Sequence, residues 1–415
     1  MLAALSLLRA QSRAVQVLML NELSINIGFF MMFPYLAGHL RDGLGLSAWM
    51  VGMVMGIRVL SQQGLTVIGG TAADRLGYKP VITTGLALRS VGFALFGLAD
   101  GLGGVLAGAV LSGLGGALFS PALRAYIAVE GGERRAQIFA IGELAGQLGM
   151  LLGPVIGVWL LGFGFRAVCL GAAATFLALG ALQLRYLPRR VDMRPDPTAT
   201  VWSDWGQVLA NRRFLLFALA MVGAAVMHHQ LYLGLPLEAR RLTGGDTGTS
   251  VLFVVASVLT LAVQLPLNAW CAARYRPGQA VALGLLVMAL AFVPPIAFAG
   301  APAALPAESS LAGTAAVLAP LLLAACLISL GDVIRRPFAL SLVPQLANHK
   351  LVGTYFGFYT LASGLGTTVG NTAMGLTFDL QNRPELAGLP WLCLIALGTA
   401  AGAFVRRLDR RGLLR

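Results

Sequence analysis

The sequence predicts an all-α membrane protein of twelve transmembrane helices, arranged as two six-helix halves related by pseudo-two-fold symmetry. Composition is the first reason, because 57% of the 415 residues are hydrophobic and only 11% are charged, whereas a soluble protein carries about 25% charged residues. Length is the second reason, because the chain accommodates twelve apolar runs of about 20 residues, each long enough to cross a bilayer. A β-barrel would require strands of alternating polarity, and the sequence contains none.

The twelve apolar runs are separated by polar or glycine-containing segments. They are residues 14–36, 48–72, 80–98, 103–126, 137–160, 165–187, 214–236, 248–271, 280–299, 313–339, 354–378 and 389–404. If the N-terminus is cytoplasmic, most of the 30 lysines and arginines fall on the cytoplasmic side, as the positive-inside rule requires. This predicts two cytoplasmic termini. It also attributes the net charge of +13 to membrane topology and not to nucleic-acid binding.

A single long polar connection follows the sixth span and divides the chain into residues 1–187, a linker of residues 188–213, and residues 214–415. Within the linker, one face of a possible helix is apolar and consists of Val201, Trp202, Trp205, Val208 and Leu209. Such a face predicts an interfacial helix on the inner leaflet. A disordered linker is the alternative.

The link between spans two and three, residues 69–80, carries the pattern Gly70-x-x-x-Asp74-Arg75-x-Gly77-x-Lys79. Between two spanning helices, this pattern resembles motif A of the major facilitator superfamily. The resemblance implies a substrate site near the midplane, between the two halves. It also implies that the motif stabilises the outward-facing state, with Asp74 at the start of span eleven, where a helix N-terminus favours an anion.

Span five has glycines at intervals of three and four residues, so they line one helix face. Small residues on one face let two helices approach closely. The pattern Gly149-x-x-x-Gly153-Pro154-x-x-Gly157 resembles motif C, a signature of facilitator antiporters, although Val158 replaces its usual last glycine. An ordinary packing face is the alternative.

Two arginines and two carboxylates inside the predicted spans are the candidates for proton coupling. Arg58 and Arg89 are each about ten residues inside a span, near mid-depth, where a charge costs at least about 2.5–3.5 kcal/mol and needs an interior partner. The family's proton-relay arginine would lie near Ala109 and is missing, so these two arginines are candidates to replace it. Glu22 and Glu143 are the candidate proton carriers, because a carboxylate in a low-dielectric site can retain a proton. The alternative is fixed ion pairs that only hold helices together.

Further polar and aromatic residues within the spans are candidates to line the substrate cavity. They are Asn26, Phe30, Gln62, Gln147, His228 and Asn371. Three charges at the inner end of span ten are predicted to form a cytoplasmic gate cluster, with a local one-turn ion pair as the alternative: Asp332, Arg335 and Arg336. The four cysteines lack metal-type spacing, so no metal or cofactor is predicted, and a proton gradient would supply the energy.

Residues 28–34, 62–65, 81–85 and 112–116 are similar to segments of bacterial drug:proton antiporters of this superfamily. The resemblance implies export of small lipophilic or amphiphilic compounds in exchange for protons, by alternating access, across a bacterial inner membrane. The predicted partners are a small-molecule substrate, protons and lipid, with the protein a monomer and not an enzyme. A facilitator for one metabolite, such as a sugar, amino acid or siderophore, is the alternative, and a non-transporting sensor or scaffold is a less favoured one.

Overall fold

The computed structural model describes residues 12–46, 48–188, 200–243, 247–296, 311–379 and 384–414. In these residues the regular structure is helical throughout and comprises sixteen α-helices with short π and 3₁₀ segments between them. The helices are α1 (Arg13–Gly38), α2 (Ala48–Gly64), α3 (Thr66–Leu76), α4 (Tyr78–Leu98), α5 (Leu102–Gly131), α6 (Arg135–Leu161), α7 (Phe165–Tyr186), α8 (Val201–Ala210), α9 (Arg212–His229), α10 (Gly234–Thr243), α11 (Thr247–Arg274), α12 (Pro277–Leu290), α13 (Val293–Ile296), α14 (Leu311–Leu346), α15 (Val352–Asp379) and α16 (Leu389–Arg410).

The helices account for all twelve predicted spans. Among the described residues, nine stretches are long and apolar enough to cross a membrane, and one of them, Leu102–Leu161, covers 60 residues and contains both α5 and α6. Two further predicted spans are also helical, since the second consists of α2 and α3 and the eleventh is α15.

Polar side chains and proline mark several helix starts. The Ser12 hydroxyl accepts a hydrogen bond from the Val15 amide at 3.3 Å, before α1. The Thr200 hydroxyl does the same for the Ser203 amide at 3.2 Å, before α8. Each bond satisfies an amide that has no partner inside its helix. Helix α12 begins with Pro277, whose missing N–H costs nothing at the first helical position.

The turn after span two is much shorter than the predicted link of residues 69–80. Helix α3 continues through Leu76 and α4 begins at Tyr78, so Gly77 alone reverses the chain. Its φ of 91° lies in a region that glycine adopts without the steric cost of a side chain. As a consequence, Asp74 and Arg75 occupy the last turn of a helix and do not lie in a loop.

The chain forms two compact units. The first contains Met1–Asn211 and Val343–Leu361, and the second contains Arg212–Leu342 and Ala362–Arg415. In the first unit, α1 packs on α6 and α7, while α4 packs on α5 and α7. In the second unit, α16 packs on α9 and α12. The linker helix α8 and the first turns of α15 therefore belong to the same unit as α3.

Candidate functional site

The last turn of α3 caps the N-terminus of α15 with a buried carboxylate. The Asp74 carboxylate accepts hydrogen bonds from the amides of Gly353 at 2.8 Å and Thr354 at 2.7 Å. The Thr354 hydroxyl donates a third bond to it, at 2.8 Å. Since α15 begins at Val352, these amides have no partner within the helix, and an anion at this end is favoured. This is the contact that the resemblance implied for Asp74.

Helices α3 and α15 approach to backbone contact beside this carboxylate. A Cβ added to Gly70 would collide with the carbonyl of Gly353, and a Cβ added to Gly353 would collide with the carbonyl of Gly70. One turn away, the Thr66 hydroxyl donates a hydrogen bond to the Gly357 carbonyl at 3.3 Å. The close crossing of the two helices therefore requires Gly70, the first glycine of the motif, and Gly353 opposite it.

The Asp74 carboxyl lies two residues beyond the predicted end of span two. Burial raises its pKa to about 6, and the hydrogen bonds from Thr354 and Gly353 oppose that rise. The nearby Asp204 carboxylate raises the pKa further. The carboxyl is thus surrounded by donors that favour its charged form, in a desolvated place that disfavours the same form.

The linker helix α8 binds to α3 through the residue next to Asp74. The Arg75 side chain donates two hydrogen bonds to one carboxylate oxygen of Asp204, at 2.9 Å from Nε and 2.6 Å from Nη2. The Trp205 indole N–H donates to the Thr71 hydroxyl at 2.8 Å. The segment 201–210 is therefore helical, and the disordered alternative does not hold for it. The partner Asp204 was missed because only the apolar face of this segment was considered.

Lys79 binds the C-terminal end of α7. Its ammonium donates hydrogen bonds to the carbonyls of Leu184 at 2.8 Å and Leu187 at 2.7 Å. These carbonyls belong to the C-terminal end of α7, where a cation is favoured. The polar residues of motif A thus join α3 to α8 and α15, and α4 to α7, within the first unit. We call the following side chains the motif A cluster: Thr71, Asp74, Arg75, Lys79, Asp204 and Thr354.

The glycine face of α6 packs directly on the backbone of α1. A Cβ on Gly149, Gly153 or Gly157 would come within 3.1 Å of a backbone atom of α1. The Tyr35 hydroxyl, also on α1, donates a hydrogen bond to the Pro154 carbonyl at 2.9 Å. The predicted motif C residues therefore form one continuous interface between span one and span five.

Three candidate residues of α1 face this same interface. The Glu22 side chain would be 3.9 Å from a Cβ on Gly142, and Asn26 and Phe30 similarly face other glycines of α6. The Asn26 side-chain amide donates a hydrogen bond to the Glu22 backbone carbonyl at 2.8 Å. This bond lies within α1, one turn earlier in the same helix. The two candidates on α6 are both half-buried: Glu143 and Gln147.

Arg58 and Arg89 are buried, with 6% and 5% of their surfaces exposed, and both lie against Phe29. The guanidinium carbon is 4.9 Å from the Phe29 ring centroid for Arg58 and 5.6 Å for Arg89. Arg58 also donates a hydrogen bond to the Gln62 side-chain oxygen at 3.0 Å. Further aromatic contacts within 5.3 Å come from Phe33, Phe119 and Phe176.

These surroundings differ from the charged partner that the sequence suggested. Within the described segments, neither Arg58 nor Arg89 forms an ion pair with a carboxylate, and their contacts are with phenyl rings and, for Arg58, with Gln62. Phenyl faces carry the negative part of a quadrupole and stabilise a nearby cation. The aromatic residues of spans one, four and six therefore provide part of the stabilisation of these buried positive charges that was expected from a carboxylate.

The second unit holds a separate cluster around Asp332. Its carboxylate pairs with Arg335 one turn along α14 and lies 3.8 Å from the Arg336 guanidinium. His228 of α9 adds a nitrogen 3.6 Å from the same carboxylate. The pairs within α14 are the local one-turn arrangement given above as the alternative, and a gating role stays a prediction. Asn371 lies on α15, and its side chain is outside the described residues.

Comparisons with known proteins agree with this architecture. A family model described as Major Facilitator Superfamily matches residues 18–371. The chain is 39% identical to an uncharacterized MFS-type transporter of Mycobacterium tuberculosis (strain ATCC 25618 / H37Rv), over 98% of this chain and 96% of that protein. It is 31% identical to the multidrug resistance protein MdtH of Klebsiella pneumoniae (strain 342), over 94% of this chain and 92% of that protein.

A solved structure supports the fold. The chain resembles the fucose:proton symporter FucP of E. coli with a TM-score of 0.74, at 16% sequence identity, over 94% of this chain and 98% of that chain. At this identity the likeness shows the fold alone. The family model and the relatives confirm the membership in the superfamily that motif A suggested, and the all-α fold with it. The chain therefore belongs to the major facilitator superfamily, and it is a multi-pass membrane transporter.

Proposed function

We propose that this transporter exports small lipophilic or amphiphilic compounds in exchange for protons, by alternating access in a bacterial inner membrane. The observation that carries the proposal is the α1–α6 interface. There the glycine face that resembles the antiporter motif contacts the helix that bears Glu22. The likeness to MdtH over nearly the whole chain supports the substrate class.

Glu22 is proposed as the proton carrier. It is half-buried within a membrane span, where a charged side chain is costly and a bound proton would neutralise the charge. The glycine face of α6 leaves no side-chain layer between this helix and α1, so a small movement of α1 changes the surroundings of Glu22 directly. Exchange follows if substrate and proton favour opposite charge states of this carboxyl.

The motif A cluster is proposed to stabilise one of the alternating states. The three hydrogen bonds to Asp74 exist only while α3 touches the start of α15. Breaking them leaves buried donors without partners, which costs about 1–3 kcal/mol for each donor. We assign this contact to the outward-facing state and place both termini in the cytoplasm, with the protein acting as a monomer.

The test is proton movement in liposomes that contain the purified protein and an internal pH dye. Neutral and cationic amphiphiles are added under an imposed pH gradient, and the variants Glu22→Gln, Glu143→Gln and Asp100→Asn are compared. Asp100 is the control, because its carboxylate is exposed in the turn between α4 and α5. We expect compound-dependent proton movement that is lost in Glu22→Gln and retained in Asp100→Asn.

Other outcomes assign other roles. Loss only in Glu143→Gln would move the proton carrier to α6. Equilibration of a labelled compound without any proton movement would rule out antiport and leave a uniporter. If no amphiphile moves and a sugar or amino acid does, the substrate proposal is wrong and a dedicated facilitator takes its place.

A further inference from the structure

The linker helix α8 uses its two faces differently. Asp204 and Val208 are buried against the first unit. On the other face, 76% of the Trp202 surface and 54% of the Leu209 surface are exposed. Tryptophan and leucine on an open helix face, next to a membrane-embedded bundle, mark a surface that is covered by something apolar.

Two basic residues directly follow this helix in the chain. Arg212 and Arg213 follow α8 after a single residue, and both are exposed. The acidic residue of α8 does not offset them, because Asp204 is paired with Arg75 at 2.6 Å. A short helix with exposed tryptophan and leucine beside arginines has the composition of helices that lie in the interface of an anionic leaflet.

The position of α8 in the chain agrees with a lipid partner. The helix lies between the membrane-spanning segments that end at Tyr186 and begin at Arg212. Its exposed residues are therefore held at a membrane surface by their covalent neighbours. We propose that α8 docks on anionic phospholipids through Trp202, Leu209, Arg212 and Arg213, and that this docking holds the motif A cluster together.

The contacts of the opposite face provide the coupling. The Arg75–Asp204 pair and the Trp205–Thr71 hydrogen bond attach α8 to α3. Directly after α8, the side-chain amide of Asn211 donates hydrogen bonds to the Leu346 carbonyl at 2.8 Å and to the Tyr355 hydroxyl at 2.9 Å. Helix α8 thus contacts α3 and also the region around the start of α15, the two elements that Asp74 joins. A lipid that orders α8 stabilises both attachments.

The experiment measures hydrogen–deuterium exchange of the full-length protein in two kinds of vesicle. One kind is phosphatidylcholine alone, and the other contains equal parts of phosphatidylcholine and phosphatidylglycerol. We expect exchange in α8 and at the amides of Gly353 and Thr354 to be about tenfold slower in the anionic vesicles, the order expected from one or two arginines near such a surface. Residues 39–43 serve as an internal reference, and high salt should reduce the difference.

Two variants separate docking from coupling. Trp202→Ser should remove most of the lipid effect, whereas Gln207→Ser, at an exposed polar position of α8, should retain it. Asp204→Asn should preserve the lipid effect on the exposed half of α8 and abolish it at Gly353 and Thr354. Equal exchange in both vesicles would overturn the proposal. So would protection that appears in detergent and rises with protein concentration, because it would assign this face to a second copy. None of these readouts requires a transported compound, so the result does not depend on the proposed export function.

Discussion

Replacing Asp74 by alanine should release α3 from the start of α15. The substitution leaves the buried amides of Gly353 and Thr354 without an acceptor, at about 1–3 kcal/mol each. Part of this cost is offset, because a carboxylate whose burial is unfavourable is removed as well. A net loss of about 3 kcal/mol would reduce the population of the contacting state by roughly a hundredfold, at about 1.4 kcal/mol per tenfold.

The assay is the distribution of distances between spin labels at Leu76 and Lys350, which are both exposed. The native cysteines would first be replaced by alanine. In the parent protein, we expect a population at the short distance set by the Asp74 contact, and in Asp74→Ala we expect that population to shrink or vanish. The matched control is Asp100→Ala, which removes an exposed carboxylate. An unchanged distribution in Asp74→Ala, with the thermal melt also unchanged, would refute the view that these three hydrogen bonds stabilise the contacting state.

Two further perturbations follow from the same unit. Asp204→Asn should weaken the attachment of α8 to α3 by about 1–2 kcal/mol, a value reduced for the partial exposure of Arg75. Hydrogen exchange over residues 201–210 should then become faster, and unchanged exchange would contradict this prediction. Gly157→Leu should force α1 away from α6, cost about 1–3 kcal/mol or more and lower the melting temperature, whereas Gly56→Leu, where a Cβ meets open space, should not. Equal melting temperatures for these two leucine variants would show that the glycine face is not tightly packed.

The spans and both motifs could be predicted from the sequence because their signals are local. Apolar runs of about 20 residues and the spacing of Gly149, Gly153 and Gly157 are visible in a few dozen residues. The break that divides the second span at Leu65 was not predicted, although the polar and glycine-containing run of residues 61–64 directly precedes it. The continuation of α3 from residue 73 to Leu76 was also missed, because charges and glycines suggest a loop until the packing of α3 is known.

The partners of the charged residues were the least predictable part. Arg75 pairs with Asp204, which is 129 positions away in a linker, and no spacing rule connects the two. Arg58 and Arg89 were expected to find carboxylates, but they lie against phenyl rings. Which side chains meet depends on the rotation of each helix about its axis and on the packing of four or five helices. Local patterns in a single sequence specify neither the rotation nor the packing, so these pairs become visible only in the folded structure.

The first unit combines two segments, Met1–Asn211 and Val343–Leu361, that the ribosome makes at different times. Asp74 accepts its amide hydrogen bonds from residues that lie 279 and 280 positions later in the chain. At about 5–20 residues per second, the ribosome needs roughly 15–60 s to reach them after Asp74 has been made. By the end of that interval ten spans and the linker helix have been made, while the end of α3 still lacks its partner. The N-terminal half must therefore persist in the membrane with one of its surfaces unfinished, and a chain that stops before span eleven leaves the Asp74 carboxylate without its amide donors.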